Sequence, residues 1–127
     1  MDTKHAQFLA SQGFTTETLF YRYTLNEYIT EIEDGSLIIN ANPAATEMVE
    51  DIYNSGHILI ASEIGPGLSF TKKEESDFKT DQHMLVSLRL GDIIQQNGKV
   101  YPDKSTYTSN AVYITIPEGF VKVSVIQ

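Results

Sequence analysis

The feature that most constrains the fold is a series of short apolar, β-prone runs in the second half of the chain. Runs of this length, rich in Val, Ile, Tyr and Phe, predict strands rather than helices. The predicted strands are 57–62, 68–71, 84–90, 100–101, 111–116 and 120–126, with polar loops at 72–82 and 102–109. The sequence Pro-Glu-Gly at 117–119 predicts that the last two strands form a hairpin.

The first half of the chain carries the helical signals. Residues 3–12 have a small apolar face and end before a glycine, which predicts a short helix. Residues 24–35 begin with a capping box and continue at helical spacing to another glycine. Residues 43–55 follow an Asn-Pro start, and strands are predicted at 18–23 and 36–40. Helices early and strands late favour an α+β fold over a doubly wound α/β sheet.

The size and charge of the chain narrow the classes of function. A chain of 127 residues, 41% hydrophobic and 20% charged, suits one domain with its own core and is too short for two. The formal net charge of −8 argues against binding to nucleic acids or anionic membranes, because both present negative phosphates. It suits a basic protein partner instead.

Cysteine and histidine usage bears on location and metal binding. The chain has no cysteine, and its three histidines share no metal-ligand spacing, so neither a disulfide nor a metal site is predicted. No apolar run reaches the roughly 20 residues that span a bilayer. The N-terminus lacks the pattern of a secretory signal. We expect a cytoplasmic protein, or a domain delivered into the cytoplasm of a target cell.

Arg22 is one of two arginines in this acidic chain and lies in the aromatic strand predicted at 18–23. A planar guanidinium can bind a pyrophosphate through two parallel hydrogen bonds, which a lysine cannot do. Arg22 is therefore a candidate anion-binding residue. The alternative is a surface ion pair with Glu27 or Glu31, since such pairs are common and weak.

The segment from Gly65 to Thr71 is the second candidate. Its glycines allow backbone to approach a ligand closely. Ser69 and Thr71 alternate onto one face of the predicted strand. The segment lacks the lysine and hydroxyl pattern of a P-loop. The alternative is an ordinary turn that leads into a half-exposed strand.

The order of these segments resembles the ADP-ribosyltransferase toxins. The shared order is an arginine on an early strand, a Ser/Thr strand after glycines, and a late strand before a Pro-Glu-Gly turn. The resemblance covers residues 18–127, with residues 1–17 as a helical lead-in. It implies one α+β domain with two or three short helices and a mixed, split β-sheet. NAD would bind in a cleft between two small sheets.

The resemblance also implies roles for individual residues. Arg22 would hold the NAD phosphates, and Ser69 with Thr71 would brace the nicotinamide ribose. The other residues implied in NAD binding are Tyr23, Gly67, Leu68 and Phe70, and one of Tyr23, Tyr28 and Phe70 would stack on the nicotinamide ring. The implied reaction cleaves the nicotinamide–ribose bond and transfers ADP-ribose to a macromolecule such as a protein. A cognate immunity protein would be a second partner.

One element of the family pattern is absent. The toxins carry a catalytic glutamate on the late strand, and Ala111 occupies the aligned position here. The alignment is shifted, or the domain binds without catalysing, or alanine has replaced the glutamate. Glu118 is close in sequence but belongs to the turn. The competing hypothesis is a non-enzymatic acidic protein, such as an immunity protein that blocks a basic toxin.

Overall fold

The computed structural model describes residues 2–75, 79–105 and 109–126, and the predicted loops 72–82 and 102–109 lie partly outside these ranges. Helices and strands alternate irregularly along the described residues. The helices are α1 (Thr3–Ser11), α2 (Ala61–Ile64) and α3 (Leu90–Gln95), and the strands are β1 (Leu19–Leu25), β2 (Thr30–Glu31), β3 (Leu37–Asn40), β4 (Met48–Glu50), β5 (Ile58–Ile60), β6 (Gly67–Thr71), β7 (His83–Arg89), β8 (Val100–Pro102), β9 (Ala111–Thr115) and β10 (Phe120–Ile126).

Eight of the strands form one sheet in the order β2-β3-β10-β7-β1-β6-β9-β8, and β4 pairs with β5 in a separate hairpin. Every pairing among the described strands is antiparallel. The α+β class is therefore confirmed. The expected mixture of parallel and antiparallel strands is wrong for these pairings.

The sheet is divided between β1 and β6. These two strands are paired at Tyr21 and Thr71, and the pairing does not continue to Arg22 and Phe70. By contrast, β1 pairs with β7 along its whole length, and β6 does the same with β9. The sheet thus consists of two halves, β2-β3-β10-β7-β1 and β6-β9-β8, which diverge beyond one shared residue pair.

The two faces of the sheet carry separate clusters of buried side chains. Along β9, Val112 and Ile114 belong to the larger cluster, which also holds Phe20 and Phe70. Tyr113 points to the opposite face, because side chains alternate along a strand, and it belongs to the smaller cluster. The larger cluster therefore packs against both halves of the sheet, whereas the smaller cluster takes its sheet residues from β8 and β9 alone.

Two of the three predicted helices are wrong. Thr24 and Leu25 continue β1 because they pair with Met84 and His83 of β7, and only one 3-10 turn follows, at Asn26–Tyr28. Pairing to a long neighbouring strand therefore overrides a local capping pattern. Residues 43–55 form turns and β4 instead of a helix.

The predicted hairpin around residues 117–119 is also wrong. Strands β9 and β10 exist, but β9 pairs with β6 and β8, whereas β10 pairs with β3 and β7. The turn therefore carries the chain from one half of the sheet to the other. The predicted helix at 3–12 and the strands at 18–23, 36–40, 68–71, 84–90 and 100–101 are confirmed within one or two residues at most ends.

Candidate functional site

A cavity of about 400 Å³ lies beside the split in the sheet, and we call it the cleft. Its lining comes from β1, the 3-10 turn, β3, the segment that follows β3, and one residue each of β2 and β6. The lining residues are Arg22, Thr24, Glu27, Tyr28, Thr30, Ile39, Asn40, Ala41, Asn42, Pro43 and Leu68. A volume in this range is typical of small-molecule sites.

Arg22 crosses the gap between the two halves of the sheet. Its Nη1 donates a hydrogen bond to the carbonyl of Ser69, over 2.9 Å. Its Nε is buried and has no hydrogen-bond partner among the described residues. Burial lowers the pKa of the guanidinium, and the nearby charge of Glu47 opposes that shift. An arginine nonetheless keeps its positive charge at any physiological pH.

The ion pair proposed as an alternative role for Arg22 is not formed. The salt bridges among the described residues involve Arg89, Lys99, Lys104 and Lys122, and none of them involves Arg22. Glu27 lines the cleft with Arg22 but does not approach it within salt-bridge distance. The guanidinium therefore presents an unused donor in a largely desolvated position.

Thr24 lies two residues after Arg22 on β1, so its side chain shares the same face of the strand. It is 3% exposed, and its Oγ1 lacks a hydrogen-bond partner among the described residues. A buried polar atom left unpaired costs about 1–3 kcal/mol. Two such atoms beside one cavity mark the place where a ligand would supply the missing partners. Sequence reasoning missed Thr24 because it was interpreted as a helix cap.

Ser69 connects the two halves of the site. Its carbonyl accepts from Arg22, while its hydroxyl donates to Oδ2 of Asp103 over 2.7 Å. Arg22 therefore contacts the backbone of Ser69 and not its hydroxyl. Ser69 fixes the distance between a guanidinium on one half-sheet and a carboxylate on the other.

Asp103 is a buried carboxylate that no motif in the sequence singles out. It is 6% exposed, and its Oδ1 also accepts from the backbone N–H and the hydroxyl of Ser105, over 2.9 and 2.6 Å. Its own N–H donates to the carbonyl of Ala111 over 3.4 Å. Asp103 thus lies across the β8–β9 pair from the position where the family pattern places a glutamate.

Glu47 is a second carboxylate near this point. It is half-buried. Burial and the charge of Asp103 raise its pKa, whereas Arg22 acts in the opposite direction. Arg22 and Asp103 therefore meet at Ser69, and Glu47 lies close enough for both charges to act on its pKa. No spacing in the sequence relates these residues.

The remaining predicted residues differ in whether they line the cleft. Leu68 lines the cleft with Arg22. The predicted site residues that are absent from its lining are Tyr23, Gly67, Ser69, Phe70, Thr71 and Ala111, so the expected convergence of Arg22 and the Ser69 hydroxyl on one cavity is wrong. Thr71 donates to the carbonyls of Tyr21 and Lys73. Phe70 is buried in the larger core cluster. Of the three aromatic residues considered for ring stacking, Tyr28 both lines the cleft and is exposed, at 58%.

Gly67 has a packing role that does not depend on a ligand. A Cβ atom at this position would lie 2.2 Å from the carbonyl oxygen of Ile114 and 2.9 Å from the ring of Tyr113. Any side chain would therefore push β6 away from β9. The hydroxyl of Tyr113 donates to the carbonyl of Gly65 over 2.6 Å, which holds the turn before β6 in place.

Within residues 2–75, 79–105 and 109–126, no group of three or more His, Asp or Glu side chains could hold a metal ion. None of the helices in these ranges is long and apolar enough to cross a bilayer.

Comparisons with known proteins identify a solved structure that shares this fold. No family model matches the chain, and no curated protein matches it. Among solved structures, the crystal structure of AvrPphF ORF2, a type III effector from P. syringae, superposes with a TM-score of 0.66 and 23% sequence identity. The alignment covers 100% of this chain and 90% of the effector chain. The likeness shows that the two proteins share a fold.

Proposed function

We propose that the cleft binds NAD and that the chain is an ADP-ribosyltransferase-like effector domain that modifies a macromolecular target. The observation that carries the proposal is the position of Arg22. Its guanidinium lies where the sheet splits, with Nε buried and unpaired beside the cleft. The toxins that the sequence resembles use an arginine at this place in the segment order.

The cleft offers groups that suit the parts of a dinucleotide. Arg22 and Thr24 can donate hydrogen bonds to phosphate oxygens, which would give partners to two buried donors. The exposed ring of Tyr28 offers a surface on which a base can stack. NAD would supply a nicotinamide–ribose bond whose cleavage releases ADP-ribose for transfer.

We assign the acidic role to Asp103 in place of Ala111. Asp103 lies opposite Ala111 and is held by Ser69, whose carbonyl also holds Arg22. Asp103 lies outside the lining of the cleft, and Ser69 links it to Arg22, which lines it. A carboxylate fixed in this way can stabilise positive charge that develops on a ribose. This assignment differs from the three explanations for the absent glutamate, because the carboxylate comes from the neighbouring strand and not from the late strand itself.

The comparison with AvrPphF ORF2 supports the biological setting. That protein is a type III effector, and this chain shares its fold. By analogy, the chain would act in the cytoplasm of a target cell, on a protein target, with a cognate immunity protein as a further partner. Fold alone does not carry activity, so this part of the proposal depends on the cleft.

Calorimetric titration with NAD tests the proposal. Arg22→Gln keeps a donor for the Ser69 carbonyl but removes the charge, so NAD affinity should fall at least about tenfold. Arg89→Gln is the matched control, because Arg89 pairs with Glu17 and Asp92 on the surface. Equal affinity of the wild type and Arg22→Gln, or no heat of NAD binding in the wild type, would contradict the proposal.

Asp103→Asn tests the catalytic assignment separately. This variant should still bind NAD but lose its ability to release nicotinamide, since the amide cannot stabilise a developing positive charge. Nicotinamide release, followed by chromatography, measures this step. If Asp103→Asn turns over NAD at the wild-type rate, the carboxylate lies elsewhere.

A non-enzymatic acidic partner protein remains the second candidate, favoured by the net charge of −8. It predicts no response to NAD and tight, salt-sensitive binding to a basic protein. The same calorimetric titration therefore separates the two functions.

A further inference from the structure

The hairpin of β4 and β5 presents an apolar face that the fold does not cover. Met48 pairs with Ile60, and Glu50 pairs with Ile58, so these four side chains share one face. Met48, Ile58 and Ile60 are 41%, 52% and 41% exposed. Three large apolar side chains on so short a hairpin contribute little to folding, and clusters of this kind mark interaction sites.

The hairpin itself is firmly attached to the rest of the molecule. Val49, on the opposite face, is fully buried and belongs to the smaller core cluster with Tyr113. Val49 also bridges to Asp103, and the N–H of Lys104 donates to the carbonyl of Met48 over 2.7 Å. The hairpin is therefore a fixed element that lies directly beside Asp103.

The outer edge of β5 carries backbone groups that pair with no other described strand. In the described part of the chain, β5 pairs with β4 and with no other strand. The flanking bonds, from Asp51 N–H to the His57 carbonyl and from Ala61 N–H to the Glu47 carbonyl, show which backbone groups face β4. By alternation, the N–H groups of Ile58 and Ile60 face outward. Natural edges are usually protected by lysine, proline or a bulge, and this one carries isoleucines.

Charge selects the kind of segment that fits this edge. Glu50 lies on the apolar face, with Glu47 before β4 and the exposed Glu63 after β5. Lys104 contacts Glu50 at 3.7 Å, and the chain as a whole carries a charge of −8. A segment with basic side chains among its apolar ones would meet complementary charge here, whereas an acidic segment would be repelled.

We propose that β5 accepts an extended segment of a partner protein, rich in basic and apolar residues, as a third strand of the hairpin. Main-chain hydrogen bonds along the edge would supply affinity, and the apolar and acidic side chains would supply specificity. The proposal goes beyond NAD binding and does not require it. If the cleft does act on a target, a chain bound here would lie next to Asp103.

Fluorescence anisotropy with a labelled peptide of about ten alternating valine and lysine residues tests this docking edge. The wild type should bind it, and Ile58→Lys should weaken binding about tenfold or more. Met84→Lys is the matched control, since Met84 is 39% exposed on β7 and receives the same charge. It should change affinity by less than about twofold. Urea unfolding of both variants checks that each remains folded.

Two further probes separate strand addition from simple charge attraction. Methylation of alternate peptide nitrogens removes the donors along one edge and should weaken binding as much as Ile58→Lys does. A valine–glutamate peptide should not bind. No saturable binding of the valine–lysine peptide, equal binding of the glutamate peptide, or equal loss in Met84→Lys would overturn the proposal. So would a concentration-dependent dimer that Ile58→Lys abolishes, because a second copy would then occupy the edge.

Discussion

Two regions of this molecule bury polar side chains. They differ in whether the buried polar groups have hydrogen-bond partners. At the N-terminal corner, formed by His5, Tyr53 and Val100, each buried polar group of these residues has a hydrogen-bond partner. In the cleft, Arg22 Nε and Thr24 Oγ1 have none among the described residues. Both regions lie against the sheet, so the difference reflects what each region does.

The N-terminal corner closes an edge of the sheet. His5 is 2% exposed and its Nε2 accepts from the N–H of Val100 over 3.2 Å. The Tyr53 hydroxyl donates to the Val100 carbonyl, and the rings of His5 and Tyr53 meet edge to face with centroids 5.3 Å apart. Since β8 is the last strand of the sheet, these contacts satisfy backbone groups that would otherwise be open.

The comparison shows how to separate structural from functional polar groups in one fold. A buried polar cluster that is fully paired stabilises the structure and tolerates no loss. A cluster left unpaired costs stability and persists where another molecule completes it. The corner and the cleft should therefore respond to mutation with opposite signs.

The largest effect is expected from His5→Ala in the corner. The change leaves a cavity and an unpaired Val100 N–H, so the free energy of unfolding should fall by roughly 3–4 kcal/mol. Urea denaturation measures it. His57→Ala, on an exposed position, should have little effect. A loss below about 1 kcal/mol for His5→Ala would mean that the corner is not a structural cluster.

Acid should weaken the same corner. Burial lowers the pKa of His5 to about 4, with the charge of Lys99 adding to the shift. Between pH 6.5 and 4 the unfolded chain binds a proton at this histidine that the folded chain does not. Its contribution is therefore intact above pH 6.5 and is lost as the pH falls, by up to about 3 kcal/mol. Urea unfolding at several pH values measures this effect. The free energy of unfolding of His5→Gln should depend less steeply on pH in this range than that of the wild type.

Tyr53→Phe removes only the hydroxyl that donates to Val100. The phenyl ring keeps its contacts with His5 and Tyr101, so the expected loss is about 1–2 kcal/mol, from one buried hydrogen bond and an orphaned carbonyl. Thermal or urea unfolding measures it, with Tyr28→Phe as the exposed control. An unchanged stability would show that this hydrogen bond is not formed in solution.

The contrast also explains what could be predicted from the sequence. Strands such as β7 and β9 follow from local apolar patterning, and Arg22 stood out because arginine is rare here. The group of charged residues around Ser69 could not be predicted fully, because Asp103 faces Ala111 through strand pairing and Glu47 lies in a segment predicted as helix. Thr24 was assigned to a helix cap because its pairing with β7 cannot be recognised from the local pattern. Local patterns show which segments are strands but not which strands they pair with.

The smallest expected effect has the opposite sign and tests the cleft directly. Thr24→Val keeps the shape of the side chain and suits a strand position. Because it removes a buried hydroxyl that has no partner, the free energy of unfolding should rise by about 1 kcal/mol. NAD affinity should fall in the same variant, since one donor is lost. Thr30→Val, at an exposed position that also lines the cleft, serves as the control and should leave stability nearly unchanged. If Thr24→Val destabilises the protein as Tyr53→Phe does, the hydroxyl has a structural partner and the cleft is built like the corner. A gain in stability coupled to a loss of NAD affinity would instead show that this side chain is retained for a ligand at the expense of the fold.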